Sequence, residues 1–84
     1  MDSEKAIIIF NIVGKNTSVD LEVPLEISAN ELVTALNTAY DLGIDTTDIK
    51  NCYLKAEKPV ALLRGNKTLK EFGIRSGSII NYTE

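Results

Sequence analysis

Few side chains in this sequence could do chemistry. Asp41, Asp45 and Asp48 lie close together, and clustered carboxylates are the raw material of a cation site. Their spacing lacks the turn glycine and the terminal bidentate glutamate of a calcium loop, so the three read as a solvated loop. Cys52 is the one cysteine, which excludes an internal disulfide, a four-thiolate iron–sulfur cluster and a structural zinc site. It sits in an apolar, strand-like stretch and reads as a small buried hydrophobe, not a reactive thiol. The chain has no histidine, hence no imidazole base, no Ser-His nucleophile and no imidazole metal ligand. No base–nucleophile pair or phosphate loop stands out. The expectation is a non-enzymatic protein with no catalytic residue, cofactor or metal.

The elements that would position any site fit one domain spanning residues 1–84. A chain of this length buries only about 60% of its unfolded surface. Hydrophobic residues make up 44% and charged residues 25%, an ordinary balance for a globular domain. The net charge of -3 comes without a basic stripe, which argues against nucleic acid. The longest apolar run, "AIIIF", falls far short of the roughly 20 residues that span a bilayer, so no direct membrane insertion is expected. The acidic opening "MDSEK" does not resemble a signal-peptide start. The expected location is the cytoplasm.

"AIIIFNIV" (6–13) is rich in β-branched residues and too short for a lone helix, which predicts a strand. "GKNTS" offers Gly14 and Asn16 for positive φ. "VDLEV" then alternates, with Val19, Leu21 and Val23 on one face, completing a hairpin. Ser28 and Glu31 have capping-box spacing, with Ile27 and Leu32 placed as a hydrophobic staple. Ala29, Leu32, Val33, Leu36 and Tyr40 recur as one helical stripe, and Gly43 is the expected residue closing the helix, with Ile44 folding back. "DTTD" is a polar loop, "CYLKAE" a strand, "KP" a turn into "VALL", and "RGNK" another turn. Thr68 and Glu71 repeat the capping-box spacing over a single turn. Leu69, Phe72 and Ile74 would plug the core, while Gly73 and Gly77 permit sharp turns. The stretch "TLKEFGIRSGSII" therefore reads as a crossover from an edge hairpin to a central last strand. The class predicted is α+β: one main helix packed on a mixed sheet of about five strands.

The hairpin "VGKNTSVDLEV", the helix opening "ISANELVTAL" and the crossover "TLKEFGIRSGSII" together resemble the ubiquitin-like β-grasp superfamily, over about Lys5 to Thr83. Within it, the "GIRSG" crossover and the spacing from Tyr53 through "KAEKPVALLRGNKTLKEFGI" are most similar to the YukD/EsaB group. That resemblance implies a cytosolic, non-conjugated accessory component of type VII secretion systems in Gram-positive bacteria. Its partners would be proteins, membrane-bound secretion components among them. The chain ends "NYTE" with no glycine after Gly77, whereas ubiquitin-like modifiers and sulfur carriers act through a terminal Gly-Gly. The alternatives are such a modifier or carrier with a lost or processed tail, and a ubiquitin-like adaptor domain of another complex. The position of ubiquitin's central patch isoleucine falls on Lys55, and that of its last-strand valine on Thr83, so the usual ubiquitin receptors should not recognise this surface.

One ambiguity bears on the binding surface. Alignment to the ubiquitin-like pattern turns Ile7 and Ile9 toward the helix and leaves Ile8, Phe10 and Ile12 on the open sheet face. A hairpin closed by Gly14-Lys15 as a two-residue loop reverses the two sets. In the first arrangement Ile8, Phe10 and Ile12 join Tyr53 and Ile79 as a candidate apolar patch for a partner or for self-association. Against this, central strands favour β-branched residues for propensity alone. Lys55, Lys58 and Arg64 near the second hairpin could steer an acidic partner, or simply guard a sheet edge.

Overall fold

A computed structural model describes residues 4–45, 47–48 and 52–83. Residues 1–3 of the acidic opening, Thr46 of "DTTD" and the terminal Glu84 lie outside the described residues. β1 (Lys5–Ile12) and β2 (Thr17–Pro24) form the first hairpin, and α1 spans Ala29–Tyr40. β3 (Leu54–Glu57), β4 (Ala61–Leu63) and β5 (Ile79–Tyr82) follow. The five strands make one mixed sheet in the order β2-β1-β5-β3-β4, with β1 and β5 parallel and the other neighbours antiparallel. This is the helix-on-sheet roll expected from the element order, with the last strand delivered to the centre.

The hairpin register decides which face of the sheet meets the helix. Ile12 lies opposite Thr17, and a 3-10 turn over Val13–Lys15 closes on Asn16, which takes the left-handed conformation. Gly14 is not the left-handed residue. This is the register of the Gly14-Lys15 alternative, with the ladder stopping one pair short. Ala6, Ile8, Phe10 and Ile12 consequently point under α1 and are 3%, 0%, 0% and 3% exposed, while Ile7 is 54% exposed. Burying Ile8 and Phe10 stabilises the fold by about 1.5–3 kcal/mol each. The expected orientation of β1 is therefore corrected: Ile8, Phe10 and Ile12 are core. Both parities of the strand are apolar, so only the pairing distance to β2 could choose between them.

The helix begins as its sequence predicts. Glu31 N–H donates to Ser28 Oγ, and the Glu31 carboxylate accepts from Ser28 N–H, a complete capping box. Ala29, Leu32, Val33 and Leu36 are buried, and the Tyr40 ring lies 5.4 Å from that of Phe10. The helix end departs from expectation: Asp41, not Gly43, takes the left-handed cap position. The Asn37 side chain explains how the chain continues, since its amide exchanges two hydrogen bonds with the backbone of Ile44. That pairing satisfies the loop backbone, as a buried segment requires.

Thr68 and Glu71 build a second capping box at the crossover. It abuts the first: Ser28 and Thr68 form a β-bridge, and Ala29 N–H and Asn30 N–H donate to Lys67 and Gly65 carbonyls. Two of the helix's unpaired first-turn donors are thus met by the crossover strap. Leu69 and Ile74 are buried beneath it, with Phe72 packed at the margin. Ser78, fully buried, donates its hydroxyl to Lys58 O at 2.7 Å and accepts Arg75 N–H at 3.0 Å. The strap is thereby tied to the β3–β4 turn.

Phe10→Ala should cost about 3–5 kcal/mol, most of the stability of a small domain, as a large fall in the urea midpoint. The two Thr68 hydrogen bonds hold the Glu71 carboxyl below its usual pKa. A lowered folded pKa stabilises the fold above the ordinary glutamate range, and that contribution is lost as pH falls through the folded value. Glu71→Gln should accordingly flatten the acid limb of a stability–pH curve relative to wild type.

Candidate functional site

The open face of the sheet carries the outward parity of each strand. In one ladder row Asp20, Ile9, Ile79 and Glu57 lie side by side across β2, β1, β5 and β3. The next row places Ser18, Asn11, Asn81, Lys55 and Leu62 together. Ile7 stands two residues before Ile9 with Glu22 opposite it. Ile7, Ile9 and Ile79 thus form a contiguous aliphatic cluster, with Ile7 well exposed and the other two half-buried. Asp20, Glu22 and Glu57 border it on both sides.

The polar row is held rigidly. Asn11 Nδ2 donates to Asn81 Oδ1 at 2.8 Å, and Asn81 Nδ2 donates to the Glu57 carboxylate at 2.8 Å. Lys5 pairs with Glu22 at 3.7 Å, both well exposed, which in water is worth little. A second ion pair, between Lys70 and Glu4, sits at the same open end of the hairpin. Asp20 enters no ion pair among the described residues.

Of the five residues expected to form the patch, Ile79 belongs to this surface. Ile8, Phe10 and Ile12 lie in the core beneath it. Tyr53 does not adjoin Ile79. It lines a cleft with Gly43, Ile44, Asp45, Lys55 and Thr83, and the Asn81–Lys55 row separates it from the isoleucines. Ile7 and Ile9 were the residues missed. The alternation "IIIF" signals them only once the register is known. Ser78 and Asn37, which fix the strap and the loop after the helix, were also missed. Each is a polar residue beside an apolar segment, a pattern shared with ordinary exposed positions.

The chemistry-bearing side chains are otherwise engaged. Asp45 accepts hydrogen bonds from Thr47 Oγ1–H and N–H at 2.6 and 3.0 Å, and these hold its carboxyl below the usual range. That is a self-capped polar turn, the solvated-loop reading of "DTTD". Among the described residues no three Cys, Asp or Glu side chains converge as metal ligands would. Cys52 is 4% exposed, and its thiol lies 3.6 Å from Asn30 Oδ1. Burial first, then Asp45 and Asp48, push its pKa up. No helix of the described residues is long and apolar enough to cross a membrane.

Comparison with known proteins adds the lineage. Residues 7–81 match the family model described as "YukD: WXG100 protein secretion system (Wss), protein YukD". No curated protein sequence matches the chain significantly. Among solved structures, a ubiquitin-like domain from tubulin-binding cofactor B superposes with a TM-score of 0.77 at 18% identity, covering 99% of this chain and 92% of that one. The C-terminal ubiquitin-like domain of mouse tubulin-specific chaperone e gives 0.75 at 8% identity, covering 99% and 89%. The UBL domain of Plasmodium falciparum Dsk2 gives 0.66 at 12% identity, covering 95% and 97%. Likeness at such identities speaks for the ubiquitin-like β-grasp fold alone.

A raised pKa and burial together predict an inert thiol. Native protein should resist iodoacetamide at mildly alkaline pH, and Cys52 should label rapidly once urea unfolds the chain. Equal native and unfolded labelling rates would contradict the buried placement.

Proposed function

This chain belongs to the YukD family of the WXG100 protein secretion system, and we propose that it serves such a system as a non-catalytic protein-interaction module in the cytoplasm. The observation that carries the reading is the open sheet face. Ile7, Ile9 and Ile79 present aliphatic surface there beside Asp20, Glu22 and Glu57, and contiguous exposed apolar surface on a small domain marks contact sites. The chemistry-bearing groups support a non-catalytic role, since Cys52 is buried with a raised pKa and Asp45 is occupied by Thr47. A single reduced thiol also fits a cytoplasmic location. The module would act by noncovalent contact with other components of the machine, membrane-bound ones among them. Self-association through the same face is disfavoured, because each copy would bring its own carboxylates against the other's.

Deleting the gene in the source cell should stop export through its WXG100 system, and wild-type protein should restore it. An Ile7→Asp/Ile79→Asp variant, folded by circular dichroism, should not restore export or co-purify membrane-bound components of that system. Undiminished export in the deletion strain would defeat the assignment. Full rescue by the double variant would remove the isoleucine surface from it, and covalent adducts in the intact-mass spectrum would overturn the noncovalent mechanism.

A further inference from the structure

The two edges of the sheet are unlike. β2 runs eight residues and carries Asp20, Glu22 and a closing Pro24, the charge and proline that guard natural edges. β4 runs three residues, Ala61–Leu63, with no charge of its own. Val60 just before it is 91% exposed, and Leu62 is 39% exposed. Beyond its pairing with β3, no hydrogen bond reaches Val60, Ala61, Leu62 or Leu63 among the described residues. An unpaired backbone edge therefore adjoins the most exposed large aliphatic side chain among the described residues.

A shallow groove on the open face runs inward from this edge across β4, β3 and β5, lined by Lys55, Glu57, Val60, Ala61, Leu62 and Asn81. Its surroundings are basic. Lys55, Lys58 and Arg64 are exposed, and none is in an ion pair among the described residues. The one carboxylate of the groove, Glu57, already accepts from Asn81. In a chain of net charge -3, this end of the sheet is positive.

We infer that the free edge of β4 takes an extended protein segment as an added strand, one with apolar side chains at alternate positions and carboxylates at its flanks. Main-chain hydrogen bonds to the edge would supply affinity, and Leu62 on β4 with Val60 in the turn just before it would receive apolar side chains of the segment. Lys55, Lys58 and Arg64 would select acidic flanks and speed the encounter. The β2 edge of a second copy has related chemistry, Val19 and Leu21 alternating with Asp20 and Glu22. It is rigid within its own sheet, and a three-residue edge offers such a partner far less than the roughly 1,000 Å² of a stable interface. A flexible segment can adapt to an edge this short. This inference does not depend on the isoleucine surface.

The test uses the purified protein and two synthetic peptides of alternating valine and threonine, one flanked by glutamates and one by lysines. In amide NMR titrations the glutamate-flanked peptide should shift Val60 through Arg64 and slow exchange of the edge amides. Its affinity should fall roughly tenfold as salt rises from about 0.01 to about 0.15 M and the Debye length shrinks from about 30 to about 8 Å. Lys55→Glu/Arg64→Glu should lose that peptide and bind the lysine-flanked one instead. No response at β4, equal response to both peptides, shifts centred on Ile7 and Ile79, or concentration-dependent shifts of β2 and β4 without peptide would each overturn the inference.

Discussion

The structure hangs on a single pairing distance, the one that sets Ile12 opposite Thr17 across the first hairpin. β1 is a central strand, so its parity propagates through the ladders. Phe10 lies beside Ile80, Ile80 beside Ala56, and Ala56 beside Ala61, all on the helix side. A slip of one residue would exchange Ile8, Phe10 and Ile12 for Ile7 and Ile9 throughout that network. The four-residue connection with left-handed Asn16 is therefore more than a turn. It selects the core and, by elimination, the open face of the sheet.

Once the sheet is in register, the helix has to be held across it. The two capping boxes do this jointly. Ser28–Glu31 starts the helix, Thr68–Glu71 starts the crossover turn, and the Ser28–Thr68 bridge joins them. Local sequence signals far apart in the chain thus become one tertiary contact. Among the described residues no buried side-chain polar atom lacks a hydrogen-bond partner. Ser78 and Asn37 are the two that achieve this at otherwise awkward points.

The fold tolerates wide divergence in sequence. Identities of 8–18% accompany TM-scores of 0.75 and 0.77 with ubiquitin-like domains, because a core asks only for apolar volume at inward positions. The outward positions are unconstrained by folding. Here they hold Lys55, flanked by Asn81 and Leu62. The aliphatic surface of the open face is Ile7, Ile9 and Ile79. Charge is divided too, acidic along β2 and basic around β4, so the two ends of one sheet address different chemistry.

Much of this was legible in the residues. The capping boxes, the Ala29–Leu36 stripe, the alternation of "VDLEV" and the glycines of the crossover each carry a local physical preference that the fold then uses. Together they determined one helix on a mixed sheet, a central last strand, a buried Cys52 and membership of the ubiquitin-like class. The orientation of β1 was not legible, because five of its residues are large and apolar on both parities. Nor was Asp41's takeover of the helix end from Gly43, which the Asn37–Ile44 pairing permits. The open face of the sheet followed the same rule. Local sequence states what each residue prefers, but where both faces of a strand prefer burial, only the long-range pairing of β1 with its neighbours decides which is granted it.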